Sequence, residues 1–177
     1  PDEAIQEPAV AAMMPQSRVL SADENPFPFP WVRQWDGMLI EPPRFLRAML
    51  QDFYIAGGKV VVRELKDRSE IAALPETLVF NCSGLGARKL VGDEELTPVR
   101  GQLAILEPQP EVDYAAITSE GYYMFSRHDG VILGGTHDEG EWDTTPDDAV
   151  TARILAAHQA LFGRMRCRPK GPRPLLS

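Results

Sequence analysis

The sequence predicts a fold of mixed α+β and α/β character, in which an α/β segment precedes an antiparallel sheet. Three observations carry that expectation. Apolar residues recur at helical spacing from Phe45 to Phe53, and a Gly57-Gly58 stop and a valine-rich run follow them. A second apolar run, Leu78-Val79-Phe80-Asn81-Cys82, leads into the small-residue turn Ser83-Gly84-Leu85-Gly86. From Thr97 onward, short strand-like runs succeed one another with no helix between them, the pattern of an antiparallel sheet.

Residues 1–36 hold no periodic element. Within them Asn25-Pro26-Phe27-Pro28-Phe29-Pro30-Trp31 alternates proline with aromatics, which forbids helix and favours extended backbone. That run suits a surface loop pinned by its aromatics, or a lid over a binding site. Gly37 to Ile40 reads as a short strand closed by Glu41-Pro42-Pro43. Proline is tolerated at a helix start because its missing N–H has no partner there, and Phe45, Leu46, Met49, Leu50 and Phe53 then make one apolar face. Gly57-Gly58 is the stop. Lys59 to Leu65, built on Val60-Val61-Val62, reads as a strand, and Asp67 to Pro75 as a partial helix. Leu78 to Cys82 reads as a further strand, with Cys82 as a small core residue. Strands are then expected over Arg100 to Leu106, Tyr114 to Thr118, Tyr122 to Ser126 and Val131 to Leu133, with Arg127-His128-Asp129-Gly130 as a hairpin turn. A last helix is expected to take Thr145 as its cap and Pro146 as its first residue, with Asp147 and Asp148 complementing its dipole. Its stripe is Val150, Ile154, Ala157 and Leu161, and Gly163 its stop. The expected division is an irregular segment over 1–36, an α/β part over 37–96, antiparallel strands and a helix over 97–162, and a basic, proline-rich tail over 163–177.

With 177 residues, 44% of them hydrophobic and 25% charged, the chain can hold one full domain or parts of two. A formal charge of -8 and a pI near 4.9 argue against the basic stripe of a nucleic-acid binder. Apolar runs fall far short of a membrane span, so neither nucleic acid nor membrane is an expected partner. Cys82 and Cys167 are too few for a disulfide framework or a zinc site, and a cytoplasmic setting is expected. The opening residues, through Ala11-Ala12-Met13-Met14-Pro15, read as the middle of something larger, so an incomplete chain is expected.

A turn such as Ser83-Gly84-Leu85-Gly86 lets a ligand approach the main chain. It is not a full dinucleotide fingerprint, although Glu107 stands about 20 residues on. Lys89 occupies the third glycine position, and Gly92 and Pro98 cut short the helix that a complete βαβ unit needs. The turn therefore suits a border to a nucleotide rather than its main cradle. His128, His137 and His158 have no metal-ligand spacing, and no serine sits in a nucleophile elbow. Tyr122 and Tyr123, adjacent on a strand, face opposite ways, so one can meet a core and the other a ligand.

Asn81-Cys82-Ser83-Gly84, Arg100-Gly101-Gln102, Tyr123, Leu133-Gly134-Gly135 and Gly140-Glu141-Trp142 follow in one order. In that order and spacing the chain resembles the D-amino-acid oxidase family of FAD-dependent oxidoreductases, from about Gly37 to Phe162. The resemblance implies part of an FAD-binding Rossmann-like domain joined to an antiparallel-sheet substrate domain. It implies oxidative deamination of D-amino acids, in which FAD takes a hydride from the substrate α-carbon and O2 reoxidises it to give H2O2. The partners it implies are an amino-acid substrate and O2, with a homodimer as the assembly to test. Carried over by motif, the backbone of Leu65 touches the adenine side of FAD and the backbone of Ser83 borders the cofactor. Tyr123 binds the substrate carboxylate in the active site. The family arginine in a Gly-x-Arg-Pro context corresponds to Arg168-Pro169 or Arg173-Pro174, although both come soon after the last helix and an altered tail is the alternative. The family's Gly-x-Gly-x-x-Gly unit and its closing C-terminal segment have no counterpart in the sequence, and Ser119 falls near the place of a second tyrosine. This chain alone is then expected to bind FAD weakly or not at all and to lack oxidase activity. The alternatives are a glycine- or sarcosine-type amine oxidase of the same fold, and a catalytically inactive truncated homologue.

Overall fold

The computed structural model describes residues 16–166, which fall into two compact units: residues 16–42 with 155–166, and residues 43–154. In the first unit, β1 (Arg18–Val19) pairs antiparallel with β2 (Arg33–Gln34). The proline-aromatic run lies between them and is pinned by a polar side chain. Asn25 is buried, its amide donates to the Phe29 carbonyl at 2.7 Å, and its Oδ1 accepts the Phe27 N–H at 2.9 Å. Such a local bridge satisfies main-chain groups that a run of prolines cannot pair in a ladder. Trp31, by contrast, is exposed. From the other end of the chain, Arg166 donates its N–H to the Pro26 carbonyl at 2.8 Å and its guanidinium to the carbonyls of Ala22 and Asn25.

Glu24 fastens the same loop. It accepts from the Arg18 guanidinium at 2.8 Å and from the Ser21 hydroxyl at 2.9 Å, and these bonds, that of Arg18 foremost, hold its carboxyl at about 2. Because the folded value is depressed, this contribution to stability is present above the ordinary carboxylate range and is lost as pH falls toward 2. A carboxyl-detected titration is expected to place Glu24 near 2, and Arg18→Ala to return it toward its ordinary 4.5.

The second unit opens within α1 (Pro42–Ile55), which is closed by Gly57 at φ 87 as expected. None of its residues is buried. Asp67 caps α2 (Arg68–Ala72), accepting the Ser69 N–H at 2.8 Å. The small-residue turn is a single 3-10 turn, Gly84–Gly86, running into the short α3 (Ala87–Val91), which Gly92 ends at φ 73.

Three expected strands are absent. Residues 37–40, 59–65 and 78–82 form no ladder. A strand exists only through hydrogen bonds to a neighbour, and among the described residues none of these segments has one. Val62 and Phe80 are accordingly exposed, and so is Cys82, which is not the core residue its apolar run suggested. Described by itself, this unit combines helices with an antiparallel sheet.

That sheet has four strands in the order β4-β7-β6-β5: β4 (Ala104–Leu106), β7 (Gly130–Gly134), β6 (Tyr123–Arg127) and β5 (Ala115–Ile117). Three of the expected strands appear in place, and β6 and β7 form the expected hairpin with Arg127 opposite Gly130. The fourth, Arg100 to Leu106, breaks at Gly101-Gln102-Leu103, and its first part becomes β3 (Val99–Arg100), paired with β8 (Asp138–Glu139). Cross-strand pairing sorts the side chains by face. One face carries Ala104, Met124, Val131 and Leu133, all buried. The other carries Ile105, Ile117, Tyr123, Phe125 and Gly134, with Ile132 buried between Ile105 and Phe125.

The last helix, α4 (Asp148–Phe162), is capped by Asp147 rather than Thr145. The Asp147 carboxylate accepts the Ala149 N–H at 2.8 Å, because the helix starts two residues later than the proline suggests. Gln102 holds this cap in place. Its amide oxygen accepts the Asp147 N–H at 2.9 Å, and its amide nitrogen donates to the Asp147 carbonyl and the Thr151 hydroxyl, each at 2.7 Å. Gln102→Ala is expected to cost about 1–3 kcal/mol, measured by urea unfolding, since it leaves this set unmade.

Candidate functional site

The sheet presents one face to a core and leaves the flanks of the other open around a buried Ile132, and Tyr123 stands on this open-flanked face. The open character is set by its flanks: Ile105 and Ile117, on the outer strands, are 63% and 60% exposed. Strand β6 alternates so that Met124 goes inward at 2% exposure while Tyr123 and Phe125 go outward, half-buried. Their rings lie 5.4 Å apart, tilted by 48°. Directly across the hairpin from Tyr123 is Gly134. Tyr122, on the opposite face, is fixed through Thr118, whose hydroxyl accepts the Tyr122 N–H at 3.1 Å and whose own N–H donates to the Tyr122 carbonyl at 2.8 Å. The open face therefore joins a phenol hydroxyl to an apolar, aromatic floor, a combination suited to a small ligand with one polar end. Ser119 lies in the exposed turn that enters β6.

The second element is the turn after Cys82. The Asn81 side chain accepts both the Ser83 N–H at 3.2 Å and the Ser83 hydroxyl at 2.7 Å, and the Ser83 carbonyl accepts the Gly86 N–H at 3.0 Å. The Ser83 N–H is thus engaged locally, which suits a border rather than a phosphate cradle. Gly84, at φ 55, has nothing within 4 Å of where a Cβ would stand, so bare main chain is offered to a flat group lying against it. Leu65, half-buried, ends the extended segment just before the Asp67 cap. Arg168 lies outside the described residues.

Two side chains not singled out from the sequence fasten the turn and the helix after it to their neighbours. Arg88, in α3, stacks over the Trp142 ring at 5.9 Å, joining the turn to the Gly140-Glu141-Trp142 loop. Arg68 donates to the Val91 carbonyl at 3.0 Å and so ties α2 to the end of α3. The only advance signal for either was a basic residue within a helix beside a motif. Arg100 is committed to structure: it pairs with Asp138 at 3.3 Å and donates to the Asp143 carbonyl at 3.1 Å. The Asp143 carboxyl is held below its usual range by the Thr145 hydroxyl and N–H, with the Arg100 charge adding to them. Among the described residues no group of His, Cys, Asp and Glu side chains gathers as a metal site, and no helix is long and apolar enough to cross a membrane.

Comparison with known proteins places the chain in a family. Residues 2–175 match the family described as FAD dependent oxidoreductase. The chain is 36% identical to a D-amino-acid oxidase of Streptomyces coelicolor over 155 residues, which is 85% of this chain and 47% of that protein. It is 36% identical over 120 residues to a D-amino acid oxidase of Dugesia ryukyuensis, covering 67% of this chain and 36% of the relative. It is also 33% identical to human D-aspartate oxidase over 140 residues, 76% of this chain and 40% of that protein. The chain thus spans less than half the length of these relatives.

Proposed function

This chain belongs to the D-amino-acid oxidase family of FAD-dependent oxidoreductases, and from that premise we propose that it forms the middle, substrate-facing part of a cytoplasmic enzyme that oxidises small D-amino acids. The observation that supports this reading best is Tyr123 on the open face of the sheet, beside the aromatic floor of Phe125. The Tyr123 hydroxyl donates to the substrate carboxylate and so sets the position of the α-carbon. A hydrogen bond to a charged partner of this kind contributes about 1.5–3 kcal/mol. Arg168 is proposed as the second carboxylate partner. Residues 37–96 contribute to an FAD-binding Rossmann-like domain and residues 97–162 to the substrate domain. Within the first, the main chain at Ser83 and Gly84 borders FAD, and the Leu65 backbone meets its adenine side. FAD, when bound, supplies the hydride acceptor and passes the electrons to O2, giving H2O2. The chain's own residues bind, orient and exclude water, so positioning carries the rate.

Two tests follow. The sequence contains no Gly-x-Gly-x-x-Gly, so this chain by itself is expected to quench flavin fluorescence weakly when FAD is added. The FAD-loaded product of the complete coding sequence is expected to release peroxide with D-alanine. Peroxide from N-methylglycine alone would move the reading to a sarcosine-type amine oxidase, and none from any amine to an inactive homologue. Sedimentation of the same product tests the homodimer.

A further inference from the structure

Two consecutive glycines on β7 and just beyond it are each covered by one of two consecutive tyrosines. Tyr123 lies directly opposite Gly134 in the β6–β7 register. Its ring covers that glycine so closely that a Cβ there would overlap the ring carbons Cζ and Cε2 and stand 2.5 Å from the hydroxyl oxygen. Gly135, at φ 147, is covered likewise by Tyr122, whose Cδ1 would lie 2.6 Å from a Cβ at that position. Adjacent strand residues face opposite ways, so Leu133-Gly134-Gly135 offers one bare glycine to each tyrosine. An aromatic ring folded over a cross-strand glycine fills the space its missing side chain leaves.

We propose that Gly134 is a positioning residue: the absence of a side chain there lets the Tyr123 ring lie across the strand pair, and this fixes where its hydroxyl meets a substrate carboxylate. The second clause rests on the carboxylate role given to Tyr123 above. In a clash between the two, the sheet is the stiffer partner. Gly134 and Tyr123 are both held in the ladder, whereas the end of the tyrosine ring swings by rotation about χ1. A methyl group at position 134 therefore displaces the ring rather than the strand. Phe125 flanks the ring on the same face and limits where it can go.

The test has a spectroscopic arm and a kinetic arm. In isotopically labelled protein, the Gly134 Hα resonances are expected upfield under the Tyr123 ring and to return to ordinary values in Tyr123→Ala. If they do not move in Tyr123→Ala, the seat is wrong, and this outcome needs no variant at position 134. In the FAD-loaded product of the complete coding sequence, Gly134→Ala is expected to raise KM for D-alanine by about tenfold, as loss of one charge-assisted hydrogen bond does, with kcat changed far less. In a Tyr123→Ala background, Gly134→Ala is expected to add nothing, because the ring it displaces is gone. A Gly134→Ala enzyme that keeps the wild-type KM while Tyr123→Phe raises it overturns the proposal. If Tyr123→Phe leaves KM unchanged while the Hα shift is present, the carboxylate role falls and the seat stands.

Discussion

A Met124→Ala protein is expected to lose about 2–5 kcal/mol of folding stability. Met124 is 2% exposed in the middle of β6, with Leu133 opposite it on β7 and Ala116 opposite it on β5. The side chains around it belong to a ladder on both sides and cannot collapse into the space a methionine leaves. Truncation therefore removes both the transfer free energy of the side chain and the contacts of its neighbours. Ile117→Ala serves as the control. That residue lies on the open face, 60% exposed, and its loss is expected to cost within about 0.5 kcal/mol. Urea unfolding of the two variants reads the difference directly, and equal losses would mean that the open face is covered in solution.

Tyr123→Phe is expected to have the largest effect on activity. The phenylalanine keeps the ring over Gly134 and beside Phe125, so stability should change by no more than about 0.5 kcal/mol. What is lost is the hydroxyl, and with it the hydrogen bond to a carboxylate proposed for it. Removal of about 1.5–3 kcal/mol of binding raises KM for a D-amino acid by about tenfold to a hundredfold. Because the bond holds the substrate equally before and during hydride departure, kcat should fall much less than kcat/KM. Steady-state oxygen uptake over a range of D-alanine separates the two parameters. A proportional loss of kcat with an unchanged KM would instead mean that the hydroxyl acts only in the transition state.

Local patterns in the sequence predicted those parts of the fold that local physics decides. The apolar stripe of α1, its glycine stop, the Asp67-led helix and the β6–β7 hairpin all depend on residues a few positions apart, and all are present. The missing strands failed for the opposite reason. Val60-Val61-Val62 and Leu78-Val79-Phe80 have the composition of strands, but a ladder depends on a neighbour that no local pattern names. The pairing of β8 with β3 joins residues about as far apart as Arg100 and Asp138, and Asp138-Glu139 carries no strand signature. Gln102 reaches a helix start 45 residues away, which also explains why the cap fell on Asp147 rather than Thr145.

For the candidate site the same division holds. Tyr123 and Ser83 came from the likeness of ordered motifs, not from periodicity, and alternation added only that Tyr122 and Tyr123 face opposite ways. Which of the two meets the open face depends on the register with β7. The same register brings Gly134 under Tyr123, so the meaning of Leu133-Gly134-Gly135 is hidden until the strands are paired. Arg88 over Trp142 is likewise a contact between a helix and a distant loop, and neither residue predicts the other.

The account turns on whether Tyr123 faces a D-amino acid beside a reducible flavin. The measurement is anaerobic mixing of the FAD-loaded product of the complete coding sequence with D-alanine, L-alanine or N-methylglycine, following the flavin absorbance. The account predicts that D-alanine bleaches the flavin, that L-alanine and N-methylglycine do not, and that Tyr123→Phe shifts half-saturation to about tenfold higher D-alanine. Bleaching by N-methylglycine or L-alanine in preference to D-alanine, or a Tyr123→Phe enzyme with wild-type half-saturation, would contradict it.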